Sequence, residues 1–189
     1  MKTLGLSFFL LFTSIPAFSG TVNPPQGETA MPALYAPQNP VQEEKTIQSQ
    51  SKSETKSGSK LDFGDYTSTT LAQKAWGSLA AKDLKAVEVY VNKADELYAK
   101  KAKEMQMGLK DYASGDNKNI FKYWALNDVG TAWFILGQAY QDAGKKEQAT
   151  QAYKKVVNEY SFAQCWDPKG WFWKPSEAAQ KKLAELGVS

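Results

Sequence analysis

The sequence predicts an all-α domain of about five helices, preceded by a segment with few apolar side chains. After Asp62, apolar residues recur three and four positions apart, which is the period of an amphipathic helix. No proline interrupts the chain between Val41 and Asp167. No stretch alternates between apolar and polar residues strongly enough to predict a strand.

Residues 1–19 have the pattern of a secretory signal. Lys2 precedes a short apolar core at residues 4–12, and Ala17 and Ser19 supply the small residues of a cleavage site. This core is shorter than the roughly 20 residues that span a bilayer, and no later segment is apolar enough to do so. We therefore expect an exported protein, periplasmic or secreted, without a transmembrane anchor after cleavage. The alternative is an uncleaved anchor.

Residues 20–61 predict a disordered tether. Five of the eight prolines lie here, followed by the polar run QSQSKSETKSGSK. So few apolar side chains cannot offset the entropy lost on ordering the backbone. The folded domain is therefore expected over residues 62–189.

The first two helices form a predicted hairpin. Residues 71–79 mark the first, with Ser68 or Thr69 as its N-cap. Asp83 suits the N-cap of the second, along which the helical spacing persists to about Tyr112.

The run SGDNKN at residues 114–119 separates these from three further helices. The third is predicted over about residues 120–142, with Gly144 well placed just after its C-terminus. A fourth follows through residues 149–160. The fifth begins at Pro175, because proline is tolerated in the first helical turn.

The composition argues against several classes of function. All 23 basic residues are lysine, the chain has no histidine, and its net charge is only +3. Without arginine or histidine, we expect no nucleic-acid partner, no metal and no cofactor. Cys165 is the single cysteine, so an internal disulfide is excluded and a buried thiol is expected. The alternative is a thiol that pairs with a partner.

The third and fourth helices carry the spacing of a tetratricopeptide repeat. Small residues stand where two antiparallel helices would cross closely, and bulky residues lie on either side. The matching positions are Trp133, Leu136, Gly137, Tyr140, Ala149, Tyr153 and Val156. The first hairpin is a weaker copy, since Ala86 and Tyr90 match but Gln73 and Lys74 replace Leu and Gly, so regular stacking of repeats is not expected.

Over about residues 67–186 the chain resembles a family of exported bacterial tetratricopeptide-like proteins. The stretches YWALNDVGTAWF and CWDPKGWFWKP carry the resemblance. It implies antiparallel helix hairpins and export. Some similar proteins are labelled in connection with β-glucan metabolism.

A line of side chains on the third helix is a predicted binding groove. The resemblance implies that Thr131, Phe134 and Gln138 face a ligand, because the first helix of a repeat lines the concave surface. Trp124 and Asn127 extend this line at helical spacing. We therefore predict that an envelope protein or peptide binds here, with Trp124 and Phe134 as anchors and Asn127 and Gln138 as hydrogen-bonding groups. The alternative is that the C-terminal segment fills the groove.

The segment CWDPKGWFWKP predicts an aromatic cap after a turn at residues 167–170. Such a cap would close the core at the end of the repeats. The alternative is a platform for a glycan, either peptidoglycan or β-glucan, on which indole rings stack against sugars. Its residues would be Trp166, Asp167, Lys169, Trp171 and Trp173.

Enzymatic activity has little support in the sequence. Asp128 and Asp167 are the acids set among aromatic residues, and glycoside hydrolysis needs two carboxylates roughly 5–10 Å apart. A carboxylate among aromatic residues more often caps a turn or accepts a backbone hydrogen bond than takes part in catalysis. We therefore predict a binding module rather than an enzyme.

Overall fold

The computed structural model describes residues 61–188, so the predicted signal and residues 20–60 of the predicted tether lie outside the described residues, as does Ser189. Within the described part, the all-α fold is confirmed: six helices enclose the core, and two three-residue strands form one small hairpin. The elements are α1 (Ser68–Ala80), α2 (Leu84–Met107), α3 (Asn117–Phe121), α4 (Trp124–Asp142), α5 (Lys146–Glu159), β1 (Cys165–Asp167), β2 (Trp171–Trp173) and α6 (Pro175–Glu185).

Residues 61–67, the entry segment, lie against α1 and α2. Tyr90 donates a hydrogen bond to the Asp62 carbonyl (3.1 Å), and Tyr98 donates one to the Tyr66 carbonyl (2.8 Å). The Lys74 ammonium lies 2.8 Å from the Asp62 carboxylate. These contacts attach the chain to the domain before the first helix begins.

The N-cap of α1 is Thr67, not the predicted Ser68 or Thr69. The Thr67 hydroxyl accepts a hydrogen bond from the Thr70 amide (3.2 Å). Ser68 and Thr69 occupy the first helical positions and are buried, because both hydroxyls donate to the Asp128 carboxylate on α4. Ser68 and Thr69 therefore serve a tertiary contact, and the cap lies one residue before the first of them.

Helix α2 begins as predicted and ends earlier than predicted. The Asp83 carboxylate accepts from the Ala86 amide (3.0 Å), which caps the N-terminus. The helix stops at Met107, and Gly108 is its C-cap, as suits a residue of low helix propensity. Tyr112, the predicted end, instead packs edge-on against Phe162 at 5.5 Å.

The third predicted helix is two helices, α3 and α4. The Asp116 carboxylate caps α3 by accepting from the Asn119 amide (2.8 Å). The backbone then leaves helical geometry at Tyr123 (φ −92°, ψ 33°). The Asn127 amide group donates to the Ile120 carbonyl (3.1 Å), which satisfies a backbone group near the break.

Helix α4 is the centre of the fold, packed against α1, α2, α5 and α6. Buried side chains lie around most of its circumference, as the sequence predicts for a central helix. The main core lies between α1, α2 and α4 and includes Leu71, Val91, Leu126 and Ile135.

A second, small core lies on the other side of α4, between α4, α5 and α6. It is formed by Phe134, Ala149, Tyr153, Val156, Ala179 and Leu183. Gly137 allows α4 and α5 to approach here, since a Cβ atom added to it would lie 2.4 Å from the Tyr153 ring. The close crossing predicted from the repeat spacing is therefore present at Gly137.

The aromatic segment forms a hairpin that the alternation rule does not predict. Strands β1 and β2 pair antiparallel, with Cys165 opposite Trp173 and Trp166 opposite Phe172. The predicted turn joins them: the Gly170 amide donates to the Asp167 carbonyl (2.9 Å), and Gly170 has a positive φ of 97°. Three residues per strand are too few for an alternating pattern to stand out.

Among residues 61–188, none of the helices combines the length and the apolar character needed to cross a bilayer.

Candidate binding site

The predicted groove line on α4 is mostly enclosed. Trp124, Asn127, Thr131 and Phe134 are between 2% and 6% exposed, and only Gln138 is partly exposed. These four side chains therefore do not line an open surface in this structure.

The C-terminal part of the chain covers Phe134. The Trp173 ring lies 5.2 Å from the Phe134 ring, and the Tyr153 ring lies 5.7 Å from it. Helix α6 adds Ala179 and Leu183 to the same small core. Trp124 faces the main core instead, where its ring meets Tyr98 edge-on at 5.6 Å.

Asn127 uses its hydrogen-bonding groups within the chain. Its side-chain oxygen accepts from the Gln164 amide (2.9 Å), while its nitrogen donates to Ile120. The Gln164 side chain in turn donates to the Ala113 carbonyl (2.8 Å). Asn127 therefore anchors the loop that precedes β1, a role that its position on the helix face does not reveal.

The hairpin divides the aromatic segment between two faces, because successive strand side chains point to opposite sides. Cys165 and Trp173 form one opposed pair, on the side that packs against α4 and the small core. Trp166 and Phe172 form the neighbouring pair and therefore lie on the other side of the hairpin. The predicted glycan platform is thus split, with Trp166 away from Trp171 and Trp173.

Three rings form what we call the outer aromatic face: Phe121, Trp166 and Phe172. Ring centroids lie 4.9 Å apart for Trp166–Phe172, 5.3 Å for Phe121–Phe172 and 6.2 Å for Phe121–Trp166. Each of the three residues is partly exposed. Sequence reasoning does not bring Phe121 and Phe172 to this site, because their proximity depends on the strand register and on the short helix α3.

The turn end of the hairpin holds the rest of the predicted platform. The Asp167 carboxylate accepts from the Lys169 amide (2.8 Å), which closes the turn, and Lys169 is exposed. Trp171 is partly exposed, and its ring takes part in none of the ring–ring contacts within residues 61–188. Among the tryptophans of the predicted platform, Trp171 is therefore the one whose ring packs against no other aromatic ring of the described residues.

The two candidate catalytic acids lie in different surroundings. Asp128 is 1% exposed and accepts hydrogen bonds from Ser68 (2.5 Å) and Thr69 (2.9 Å). It sits at the N-terminus of α1, where a negative charge is favourable. Asp167 caps an exposed turn. The surroundings of both carboxylates favour structural roles.

Cys165 lies next to this buried acid. It is 1% exposed, and burial raises the pKa of its thiol to about 12, with the Asp128 charge acting in the same direction. The nearby Thr131 side chain acts in the opposite direction. The thiol therefore stays protonated at neutral pH and is not poised for nucleophilic chemistry.

No cluster of three or more metal-binding side chains occurs in the described part of the chain. No protein-family model, curated protein or solved structure matches this sequence. The resemblance to tetratricopeptide-like proteins consequently stays a prediction from the sequence.

Proposed function

We propose that this protein is a non-enzymatic, tetratricopeptide-like binding module of the cell envelope, and that it contacts a protein partner through the outer aromatic face. One observation carries the proposal. Phe121, Trp166 and Phe172 touch one another, stay partly exposed, and lie on the side of the hairpin opposite the core-facing pair.

The chemistry of this face suits a protein partner. Aromatic side chains are enriched among the residues that contribute most to binding at protein interfaces. The planes of the three rings are inclined to one another by 60° to 66°. Rings at such angles present a contoured surface for apolar side chains rather than a flat platform for a sugar.

The face is also held in place before any partner arrives. Trp173 packs on Phe134 behind it, and the Asn127–Gln164 hydrogen bond anchors the loop that leads into β1. A rigid contact surface loses little conformational entropy on binding, which favours affinity. The same packing leaves the predicted groove on α4 filled, so the proposed contact surface lies on the hairpin.

A carbohydrate is the second candidate ligand, because of Trp171. Its partly exposed indole is free of other rings and lies beside the Asp167–Gly170 turn, where Lys169 is exposed. A sugar ring would stack on this indole, and polar groups of the turn would form hydrogen bonds with the hydroxyl groups of the sugar. Peptidoglycan and β-glucan fragments are the corresponding test ligands.

The test compares two alanine variants of the secreted domain. A photo-crosslinking residue at position 172 is first used to capture the partner in cells, with position 151 on the exposed side of α5 as the control site. Affinity for the purified partner is then measured. Phe172→Ala should weaken binding by roughly 30-fold, the effect of losing an interface anchor, whereas Trp171→Ala should change it little.

The opposite pattern identifies the second candidate. If Trp171→Ala abolishes binding of a glycan fragment and Phe172→Ala does not, the ligand is a carbohydrate at the turn. Equal crosslinking from positions 172 and 151, together with unchanged affinity in both variants, would rule out the hairpin as the binding site. Circular dichroism spectra of both variants should match that of the parent protein.

A further inference from the structure

We infer that the protein partner of the outer aromatic face is acidic: it presents carboxylates around the apolar side chains that contact Phe121, Trp166 and Phe172. The inference rests on the proposed function, because it concerns the same face, and it adds the charge of the partner. It follows from the lysines that border the three rings.

Exposed lysines lie at two edges of the outer aromatic face. Lys118 lies on α3, Lys122 directly follows Phe121 at the end of that helix, and Lys169 lies in the turn that joins the two strands. Residues three apart on a helix are neighbours on its surface, so Lys118 and Phe121 lie on the same side of α3. The face therefore combines an apolar centre with a basic rim.

The ammonium groups of these three lysines are available to a partner. Within residues 61–188 none of the three pairs with a carboxylate, and Lys122 lies 3.5 Å from the neutral side-chain oxygen of Asn119. Lys174, which follows β2, is different. It pairs with Glu177 (3.0 Å) and lies 4.0 Å over the Tyr112 ring, so it does not belong to the basic rim.

Two carboxylates lie beside the same face, and both are bonded to the backbone. Asp116 accepts from the Asn119 amide (2.8 Å), and Asp167 accepts from the Lys169 amide (2.8 Å). These side chains are short, whereas a lysine carries its charge at the end of a flexible four-carbon stem. An approaching surface therefore meets the ammonium groups first, and carboxylates of the partner pair with them.

Charges at the rim of an interface act mainly on the rate of association and on the choice of partner. Exposed ion pairs contribute little to affinity, and buried aromatic side chains contribute most of it. The basic rim therefore attracts an acidic surface to the three rings and repels a basic one.

The first experiment measures how fast the full secreted chain associates with the partner that is captured from position 172. Lys118→Glu/Lys122→Glu reverses the charge at one edge of the face, and Lys146→Glu/Lys154→Glu makes the same change in net charge at exposed positions of α5. The first double variant should lower the association rate constant at least about tenfold at low ionic strength, and the second less than about twofold. The difference should shrink as salt is added, since ions screen exposed charges.

A random copolymer of glutamate and tyrosine gives a second measurement that needs no identified partner. Fluorescence anisotropy should show that the parent chain binds it at least about tenfold more tightly than a copolymer of lysine and tyrosine. Lys118→Glu/Lys122→Glu should remove most of this preference, and Lys146→Glu/Lys154→Glu should retain it. Equal binding of the two copolymers by the parent chain would overturn the inference.

The outcomes separate this inference from the proposed function. If Phe172→Ala weakens partner binding but the two double variants behave alike, the face binds a partner that is not acidic, and the inference is wrong. If Phe172→Ala has no effect either, the proposed function is wrong as well. Binding to phosphatidylglycerol vesicles that requires Lys118 and Lys122, with unchanged association of the protein partner, would assign these lysines to a membrane surface and would also overturn the inference.

Discussion

At the scale of single residues, glycines on α4 determine how closely neighbouring elements approach. A Cβ atom added to Gly130 would lie 2.7 Å from the Ala163 Cβ, and one added to Gly137 would meet the Tyr153 ring. Both distances are shorter than van der Waals contact allows. Because these two positions lack a side chain, α4 can pack closely against the loop before β1 and against α5.

Replacing Gly137 with alanine should destabilise the domain. The added methyl would lie 2.4 Å from a fully buried tyrosine ring, so α4 or α5 must shift, at a cost of about 1–3 kcal/mol. Gly77→Ala on α1 is the matched control, since no atom lies within 4 Å of its added Cβ. Urea unfolding should show the control unchanged or more stable by up to about 1 kcal/mol, owing to its helix propensity. Equal effects of the two substitutions would contradict the close crossing.

Cys165 should be unreactive in the folded protein. Burial raises the pKa of its thiol to about 12, so the thiolate is scarce at pH 8, and its side chain is enclosed. A thiol reagent such as 5,5′-dithiobis(2-nitrobenzoic acid) should modify it in denaturant and not in buffer. Rapid modification of the native protein would favour the alternative of a thiol that pairs with a partner.

At the scale of elements, helix starts marked by local signals could be predicted, and those set by tertiary contacts could not. Asp83 caps α2 and Pro175 opens α6, because both act within one turn of the chain. The break at Tyr123 contains neither glycine nor proline and is accompanied by the Asn127 bond to Ile120. At the N-terminus of α1, Ser68 and Thr69 bond to Asp128 on α4 and Thr67 is the cap, and the local sequence does not reveal which of the three hydroxyls has which role.

Trp173→Ala should destabilise the C-terminal cap more than Trp171→Ala. Trp173 packs against Phe134 at the small core, and its truncation should cost about 2–4 kcal/mol, below the full range for buried tryptophan because it is partly exposed. Trp171 has no ring partner within residues 61–188, and its truncation should cost less than about 1 kcal/mol. Thermal unfolding of both variants gives the comparison. Similar losses would mean that the two indoles contribute equally to the cap.

At the scale of the whole molecule, the helical period predicts which side of each helix is buried but not which element covers it. Phe134 is apolar and Thr131 is small, and both lie on one face of α4. Such a pattern is equally compatible with a groove that binds a partner and with a contact inside the domain. The structure covers this face with the chain's own hairpin and α6. The outer aromatic face could not be predicted because it depends on the pairing of Trp166 with Phe172.

The domain should lose stability in alkaline solution. Burial raises the pKa values of Tyr112 and Tyr140 to about 12 and those of Tyr153 and Tyr160 further, all from an ordinary value of 10. These phenols ionise first in the unfolded chain, so the stability present below pH 9 declines as the pH rises from about 10 to 12. Lys103, whose pKa is raised by Glu159, acts in the same direction.

Urea unfolding between pH 8 and 11 checks this prediction, with tyrosinate absorbance at 295 nm as the second signal. The unfolding midpoint should fall above about pH 10, and tyrosine ionisation in the folded protein should lag behind that of the unfolded chain. A constant midpoint across this range would contradict the burial of these phenols.

The entry segment also determines how the domain responds to mechanical force. It runs alongside α2, from Tyr90 at the Asp62 carbonyl to Tyr98 at the Tyr66 carbonyl, two helical turns or about 12 Å further on. Tension on the chain before Leu61 therefore loads two tyrosine hydrogen bonds and the Lys74–Asp62 ion pair. Because Lys74 lies on α1 and the two tyrosines lie on α2, a pull on the preceding chain is shared between two helices at once and is not carried by the N-terminus of α1 alone.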